Sequence, residues 1–325
     1  MVRFRCAGIA ATGLVLRILL LARPLDVVDR LFVPDDAYYT LSVARSLGRG
    51  LGPAIDGRLT SGFQPLLAFL LAAAPALRTA LVIGALADFA TTLILASLAR
   101  RAAGERAALF AAALWAASPT AIGNALNGLE TSLAVALATG AALALDVALA
   151  APDADGARTT RRWVVVGALL GACLLARVDT VFLVAIVGAW SMLLVRRGEA
   201  SAKSLGVSIG AAAAVVAPWW TYAVLRFGTI VPESGAAVRE QALAHRATGM
   251  TFLNQLGWAS GASLGPLFAD ATDVREGLGS GAPALGAIAL VALVYILART
   301  ATAPSSARGL RVLAASAIAL LLFYA

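Results

Sequence analysis

Long apolar runs separated by short polar segments make up most of this chain. A helix needs roughly 20 apolar residues, with a range of about 17–25, to cross the hydrocarbon core of a bilayer. Nine runs qualify: 6–22, 79–98, 107–123, 131–151, 163–178, 180–195, 204–225, 283–299 and 310–325. The shorter run at 63–77 contains proline, which favours a juxtamembrane or re-entrant element. The pattern predicts an all-α integral membrane protein with about nine transmembrane helices and 1–325 as one polytopic domain.

The distribution of basic residues predicts the topology. If 63–77 does not cross, one side of the membrane receives the N-terminus and short loops that carry 14 basic residues against four acids. The positive-inside rule makes that side cytoplasmic. Two long loops, 23–78 and 226–282, then lie on the opposite, extracytoplasmic side together with most of the acids. Counting 63–77 as a span would move several basic clusters outside, so we reject it.

Composition narrows the class of protein further. Hydrophobic residues make up 60% of the chain and charged residues 14%, against about a half and a quarter in soluble domains. The basic residues lie in separate loops, which excludes a nucleic-acid-binding patch. One histidine, His245, and two cysteines in apolar spans, Cys6 and Cys173, exclude a Cys/His zinc site and a disulfide framework. The Ala-, Leu- and Arg-rich composition is typical of a GC-rich bacterial genome, so we expect the bacterial cytoplasmic membrane.

Two adjacent acids, Asp35 and Asp36, follow the first span in the segment PDDAYYTLSVARSLGRG. The simplest interpretation is a helix start, because an acid at that position satisfies free N–H groups and the positive end of the helix dipole. The helix would place Ala37, Leu41 and Ala44 on its apolar face. Capping needs only one acid, however. The second acid is therefore a candidate for catalysis or metal binding.

Three further signals fall on the same predicted side. Glu130 in NGLETS either caps the next span or serves a site, and Arg177 and Asp179 lie two residues apart in a short turn. Charged residues at such a boundary are functional candidates by default, and an Arg there is suited to gripping a phosphate. Glu233 follows the aromatic segment APWWTY. Its aromatics, Trp219, Trp220 and Tyr222, are typical of an interfacial aromatic belt.

Together, these ordered segments resemble a known group of enzymes. The segments PDDAYYTLSVARSLGRG, TSGFQPLLAFLL, NGLETS, ARVD and PWWTYAVLRFGTIVPESG are similar to those of the GT-C superfamily of polytopic membrane glycosyltransferases. The closest likeness is to the bacterial branch related to protein O-mannosyltransferases, aminoarabinose transferases and arabinofuranosyltransferases. The resemblance implies transfer of a sugar from a polyprenyl-phosphate donor to a hydroxyl of an extracytoplasmic glycan, lipid or protein.

The resemblance also implies roles for particular residues. Asp35 or Asp36 of the first outer loop would be the general base, and we favour Asp35 because a place in the first helical turn would tie Asp36 to the helix end. Arg177 is the preferred contact for the donor phosphate, with Arg226 and Arg239 as alternatives. The expected substrate-binding or orienting residues are Tyr38, Gln64, Glu130, Asp179 and Glu233. A divalent cation held by Asp36 and Glu130 is a further interpretation of the same acids.

This sequence departs from the superfamily pattern in two places. Gln64 stands in GFQP where relatives often carry His, and the chain ends in an apolar span where many carry a soluble domain. Two rival interpretations remain: a transporter or lipid flippase, and a catalytically inactive assembly subunit. A transporter would show repeats and charged mid-membrane helices. Only Asp88 and Asp146 are acids placed well inside predicted spans.

Overall fold

The computed structural model describes residues 2–150, 156–233, 240, 291 and 308–324. Its helices are α1 (Val2–Leu21), α2 (Leu25–Phe32), α3 (Asp35–Gly48), α4 (Pro65–Ala72), α5 (Leu77–Ala103), α6 (Glu105–Ala117), α7 (Pro119–Ala125), α8 (Thr131–Leu149), α9 (Gly156–Ala176), α10 (Val181–Arg196), α11 (Ala202–Phe227) and α12 (Arg308–Tyr324). A 3₁₀ turn covers Val178–Thr180, and a hairpin pairs β1 (Ala54–Ile55) with β2 (Arg58–Leu59).

Six of the helices are long and apolar enough to cross a membrane, which confirms an all-α membrane protein. These segments are Phe4–Leu21, Leu77–Ala103, Thr131–Leu149, Arg158–Ala176, Val178–Arg196 and Ala202–Phe227. Each coincides with a predicted span. Helix α12 covers most of the predicted span 310–325 in 17 residues, and the predicted span 283–299 lies outside the described residues. The structure therefore supports six of the nine predicted spans.

The predicted span 107–123 is not one helix, and this expectation is wrong. Helix α6 ends at Ala117, and α7 begins at Pro119. A residue before proline is pushed out of the helical region, and Ser118 accordingly has ψ 120° and accepts a hydrogen bond from the N–H of Ala121. Hydropathy alone overlooked this break because Ser118 and Pro119 interrupt an otherwise apolar run only briefly.

Helices α3 and α4 pack on the end of the bundle without crossing it. Helix α4 has eight residues and is about 12 Å long, far short of a membrane span, as the sequence predicts for 63–77. The buried face of α3 includes Ala37, Leu41 and Ala44, and Leu41 and Ala44 form one cluster with Leu67 and Leu71 of α4. The predicted amphipathic helix is confirmed.

The aromatic segment of α11 fixes α4 in place. Trp219 is buried and makes edge-on contacts with Phe63 and Phe69 at ring-centroid distances of 5.2 and 5.6 Å. It also stacks on Tyr222 at 5.6 Å. The interpretation of Trp219 as an interfacial anchor is therefore wrong, because its ring packs inside the protein against a juxtamembrane helix.

Among the described helices, α9 packs closely on α11 through two glycines. Gly167 and Gly171 are four residues apart and face α11; a Cβ on Gly167 would collide with the carbonyl oxygen of Ser208, and one on Gly171 would lie 2.7 Å from that of Ala212. Small residues at this spacing allow membrane helices to approach closely. The sequence GALLG is the signal for this contact.

Helix ends collect at two opposite ends of the bundle. At the first, which we call the acidic end, Arg78 at the start of α5 donates to the carbonyl of Leu21 at the end of α1. At the second, the basic end, Arg308 of α12 pairs with Glu199 beyond α10 at 3.0 Å. The acidic end carries residues 22–76, 126–130, 177–180 and 228–233, as the two-sided prediction requires.

A buried ion pair links α1, α5 and α6 between these ends. Arg17 Nε lies 2.9 Å from Asp88 Oδ2, and the two side chains are 1% and 2% exposed. Asp88 also accepts from Trp115 Nε1 at 2.9 Å, and Arg17 donates to the carbonyl of Ala116 at 2.7 Å. Three helices thus contribute partners to one pair of buried charges.

We expect Arg17→Leu to destabilise the protein by about 3–5 kcal/mol, because it leaves the Asp88 carboxylate buried without its cation. The double variant Arg17→Leu/Asp88→Asn should recover part of that loss, since Asn still accepts from Trp115. Thermal unfolding in detergent measures the difference. Arg23→Leu, at an exposed position just beyond α1, is the matched control. Equal losses for Arg17→Leu and Arg23→Leu would contradict the assignment.

Candidate functional site

The two neighbouring acids both lie in the first turn of α3, after Pro34 at the N-cap position. The backbone N–H of Asp36 donates to Asp35 Oδ1 at 3.0 Å, so Asp35 is the acid tied to the helix end. Asp36 also lies in the first turn, as expected, and the preference for Asp35 over Asp36 as the base stays a prediction. Both residues are exposed. The catalytic assignment of either residue stays a prediction.

An ion-paired group lies where α8 begins and α9 ends. Arg177 Nη1 donates to Glu130 Oε1 at 3.0 Å, and Nη2 donates to Asp179 Oδ2 at 2.9 Å. Arg177 Nε also lies 3.1 and 3.2 Å from the two carboxylate oxygens of Asp179. The side chains of Glu130, Asp179 and Arg177 are 9%, 16% and 34% exposed. Residues 47 positions apart are thereby joined at the acidic end.

Glu130 does not cap α8 with its side chain. It occupies the N-cap position, yet its carboxylate makes no capping hydrogen bond and pairs with Arg177 instead. Its position is set by the preceding turn, in which Asn127 Oδ1 accepts from the N–H of Leu129 at 2.9 Å and Gly128 has φ +72°. The capping interpretation is thus wrong for the side chain.

The same turn places the ion-paired group beside α3. A Cβ on Gly128 would lie only 3.2 Å from Cβ of Ala37, so the chain before Glu130 packs directly on the first turn of α3. Burial raises the pKa of the Glu130 carboxyl, Arg177 lowers it, and the negative charges of Asp179 and Asp36 raise it further. Asp36 therefore acts electrostatically on Glu130. We call Asp36, Glu130, Arg177 and Asp179 the acidic cluster.

The backbone of Arg177 and the 3₁₀ turn that follows it also position the ion pair. Arg177 itself is extended, with φ −154° and ψ 133°, and the 3₁₀ turn follows it. Thr180 Oγ1 donates to the carbonyl of Arg177 at 2.7 Å. This turn directs Asp179 back onto the guanidinium, which explains why an Arg and an Asp two residues apart pair here.

A second polar group forms around Glu233. Thr60 Oγ1 donates to Glu233 Oε2 at 3.1 Å and lies 3.1 Å from the hydroxyl of Tyr39. The N–H of Glu233 donates to Ser61 Oγ at 3.3 Å. The segment after α11 is thus held on the loop between the hairpin and α4. Thr60 and Ser61 are not among the predicted site residues, although both belong to the segment TSGFQP that carries part of the resemblance.

The hairpin before Thr60 sets the direction of that loop. Asp56 and Gly57 have φ +48° and +77°, the two positive values that a two-residue type I′ turn requires, and Asp-Gly is a preferred pair for it. The register Ala54↔Leu59 then returns the chain towards α3. Tyr39 and Thr60 meet as a result.

The other predicted site residues belong to neither the acidic cluster nor the group around Glu233. Tyr38 donates to Asp29 Oδ1 of α2 at 2.7 Å, and this hydrogen bond raises the pKa of the phenol. Gln64 is the N-cap residue of α4, and its Oε1 is buried without a hydrogen-bond partner among the described residues. Arg226 is exposed in the last turn of α11. Arg239 lies outside the described residues.

The acids do not form a ready-made multidentate metal site. Within the described part of the chain, no group of three or more His, Cys, Asp or Glu side chains has the arrangement to hold a metal ion. The cation predicted at Asp36 and Glu130 stays a prediction. What the described geometry offers is a half-buried guanidinium paired with two acids, and the exposed carboxylate of Asp36, whose charge acts on one of them.

No family model, curated protein or solved structure matches the chain.

We expect Glu130→Ala to lower stability by about 1–3 kcal/mol, because a charge-assisted hydrogen bond to a half-buried guanidinium is lost. Glu130→Gln keeps an acceptor for Arg177 and should cost less. Melting temperatures in detergent compare these variants with Asp26→Ala. That control removes an exposed i,i+4 pair with Arg30, 66% and 76% exposed, which contributes about 0–0.5 kcal/mol. A Glu130→Ala loss no larger than that of the control would refute the structural role of Glu130.

Proposed function

We propose that this protein is a membrane glycosyltransferase that moves a sugar from a polyprenyl-phosphate donor to an acceptor hydroxyl. The observation that carries the proposal is the convergence at one end of the bundle: α3, the start of α8 and the α9–α10 turn all contribute to the acidic cluster. The motifs that resemble the GT-C superfamily supply these same residues. A purely structural ion pair would not need the exposed carboxylate of Asp36 beside it.

Asp36 is the better candidate for the general base. Its carboxylate is exposed at the acidic end, and its charge acts on Glu130. Asp35 accepts the N–H of Asp36 and so serves the helix end. In the proposed step, Asp36 takes the proton of the acceptor hydroxyl as that oxygen bonds to the anomeric carbon. The bond from the anomeric carbon to the phosphate oxygen breaks, and polyprenyl phosphate leaves with the electron pair.

The sequence predicts Arg177 as the contact for the donor phosphate, whereas in this proposal Arg177 positions two acids. Its guanidinium is engaged by Glu130 and Asp179, so it orders two acids at the site. A phosphate contact by Arg177 would need rearrangement of these pairs. Arg226, exposed at the end of α11, is therefore our first candidate for the donor phosphate, and a bidentate guanidinium suits that group.

The transporter alternative loses its main support. Asp88 and Asp146 are the two acids inside predicted spans, and both have structural partners. Asp88 pairs with Arg17, and Asp146 Oδ1 accepts from the N–H of Gly309 at 2.6 Å while its Oδ2 lies 3.7 Å from Arg101 Nε. These contacts give each acid a packing role. No observation favours a transport route over the glycosyl-transfer proposal.

Asp36→Asn should lower glycosyl transfer by about 10²–10⁴-fold, the usual contribution of a general base. Asp35→Asn should retain transfer within a few-fold. The assay follows a radiolabelled pentose or hexose from undecaprenyl or decaprenyl phosphate into membrane acceptors. Asp56→Asn, an exposed acid in the hairpin turn, is the control. Full transfer in both Asp35→Asn and Asp36→Asn would exclude a base at this position.

The proposal also requires the acidic end to be extracytoplasmic. In intact cells, a membrane-impermeant maleimide should label Arg58→Cys in β2, and it should label Arg197→Cys beyond α10 only after permeabilisation. Both positions are exposed, while the native Cys6 and Cys173 are buried, so background labelling is low. The reverse labelling pattern would place the site in the cytoplasm and overturn the proposal.

A further inference from the structure

A long apolar groove runs along the side of the bundle between α5, α8 and α9. Its volume is about 980 Å³. Leu86, Val147 and Val165 line it and are 54%, 38% and 43% exposed. The groove is thus an open, apolar channel on the side of the bundle.

Arginines line the groove at one of its two ends. Arg158, Arg161 and Arg162 line it together with Val165 and Leu169. On a helix, this spacing of i, i+3, i+4, i+7 and i+11 puts all five residues on one face of α9. The arginines occupy the first turns of that face, at the basic end of the bundle. Apolar residues continue the same stripe toward the acidic end.

The length of the groove matches a lipid chain. Along α8 it extends from Leu133 to Val147, which is about 21 Å at 1.5 Å per residue. Half of a hydrocarbon core measures about 15 Å. An acyl chain that enters from the basic end would therefore contact the protein across the full thickness of one leaflet.

We propose that this groove binds one anionic phospholipid, with its phosphate at Arg161 and Arg162 and an acyl chain along the apolar walls. Charge complementarity selects this occupant, because basic pockets between membrane helices bind anionic head groups. A guanidinium also bonds phosphate oxygens in pairs. An apolar helix in the groove would leave the arginines desolvated. The proposal rests on the membrane-embedded fold and is independent of the proposed transferase reaction.

The first test removes charge at matched positions. Native mass spectrometry of the full chain in detergent measures binding of added phosphatidylglycerol and, for comparison, phosphatidylcholine. Arg161→Gln/Arg162→Gln should weaken phosphatidylglycerol binding by about tenfold or more and leave phosphatidylcholine unchanged. Arg196→Gln/Arg197→Gln removes the same charge from the end of α10, outside the groove, and should have no such effect.

The second test fills the apolar part of the groove. Gly140 lines the groove, and a Cβ there would meet Ile94 and Leu169 only at 3.8 and 3.9 Å, so Gly140→Leu adds bulk to the groove. It should abolish phosphatidylglycerol retention. Gly206→Leu on α11 is the control, because a Cβ there has no neighbour within 4 Å.

Equal binding losses in the two arginine pairs would overturn the proposal. So would binding of undecaprenyl phosphate, but not of phosphatidylglycerol, that depends on Arg161 and Arg162, since the groove would then be a polyprenyl site. If Gly140→Leu fails to fold, the arginine pairs alone decide the outcome.

Discussion

Neutralising charge between helices is the constraint on which this bundle depends. Arg17 and Asp88 are 1% and 2% exposed, and an unpartnered charge at such a place costs several kcal/mol. The partner must come from another helix, so each pair determines which helices are neighbours. Arg17, Asp88 and Trp115 specify α1 beside α5 and α6. At the basic end, Asp146 accepts the N–H of Gly309 and thereby holds α12 against α8.

The acidic cluster follows a different rule. In the buried pair Arg17–Asp88, one cation meets one anion, whereas the cluster contains three carboxyl groups and one guanidinium. Burial already raises the pKa of Glu130, and the charges of Asp179 and Asp36 raise it further. Such an accumulation of acid opposes folding and is common where groups are tuned for chemistry. This excess of acid is one of the observations that support the proposed catalytic role of the cluster.

Local sequence patterns predicted the membrane spans and the amphipathic helix α3, because both depend on residues close together in the chain. Hydropathy located six spans, and apolar periodicity located the buried face of α3. The break at Ser118–Pro119 is also local, yet averaging hydropathy over a window conceals two residues. The pairing of Arg177 with Glu130 is different in kind, because it joins positions 47 residues apart and depends on how α8 and α9 pack. Trp219 shows the same limit: an aromatic residue near a helix end faces lipid or protein according to tertiary contacts alone.

The choice between the two adjacent acids shows how backbone geometry separates chemically identical groups. Position within the first turn could not distinguish them in the sequence, since either acid can interact with free N–H groups there. In the structure Asp35 accepts the N–H of its neighbour. The Asp36 carboxylate is exposed, and its charge acts on Glu130. The same helix start thus engages Asp35 with the N–H of its neighbour, and this difference supports Asp36 as the proposed base.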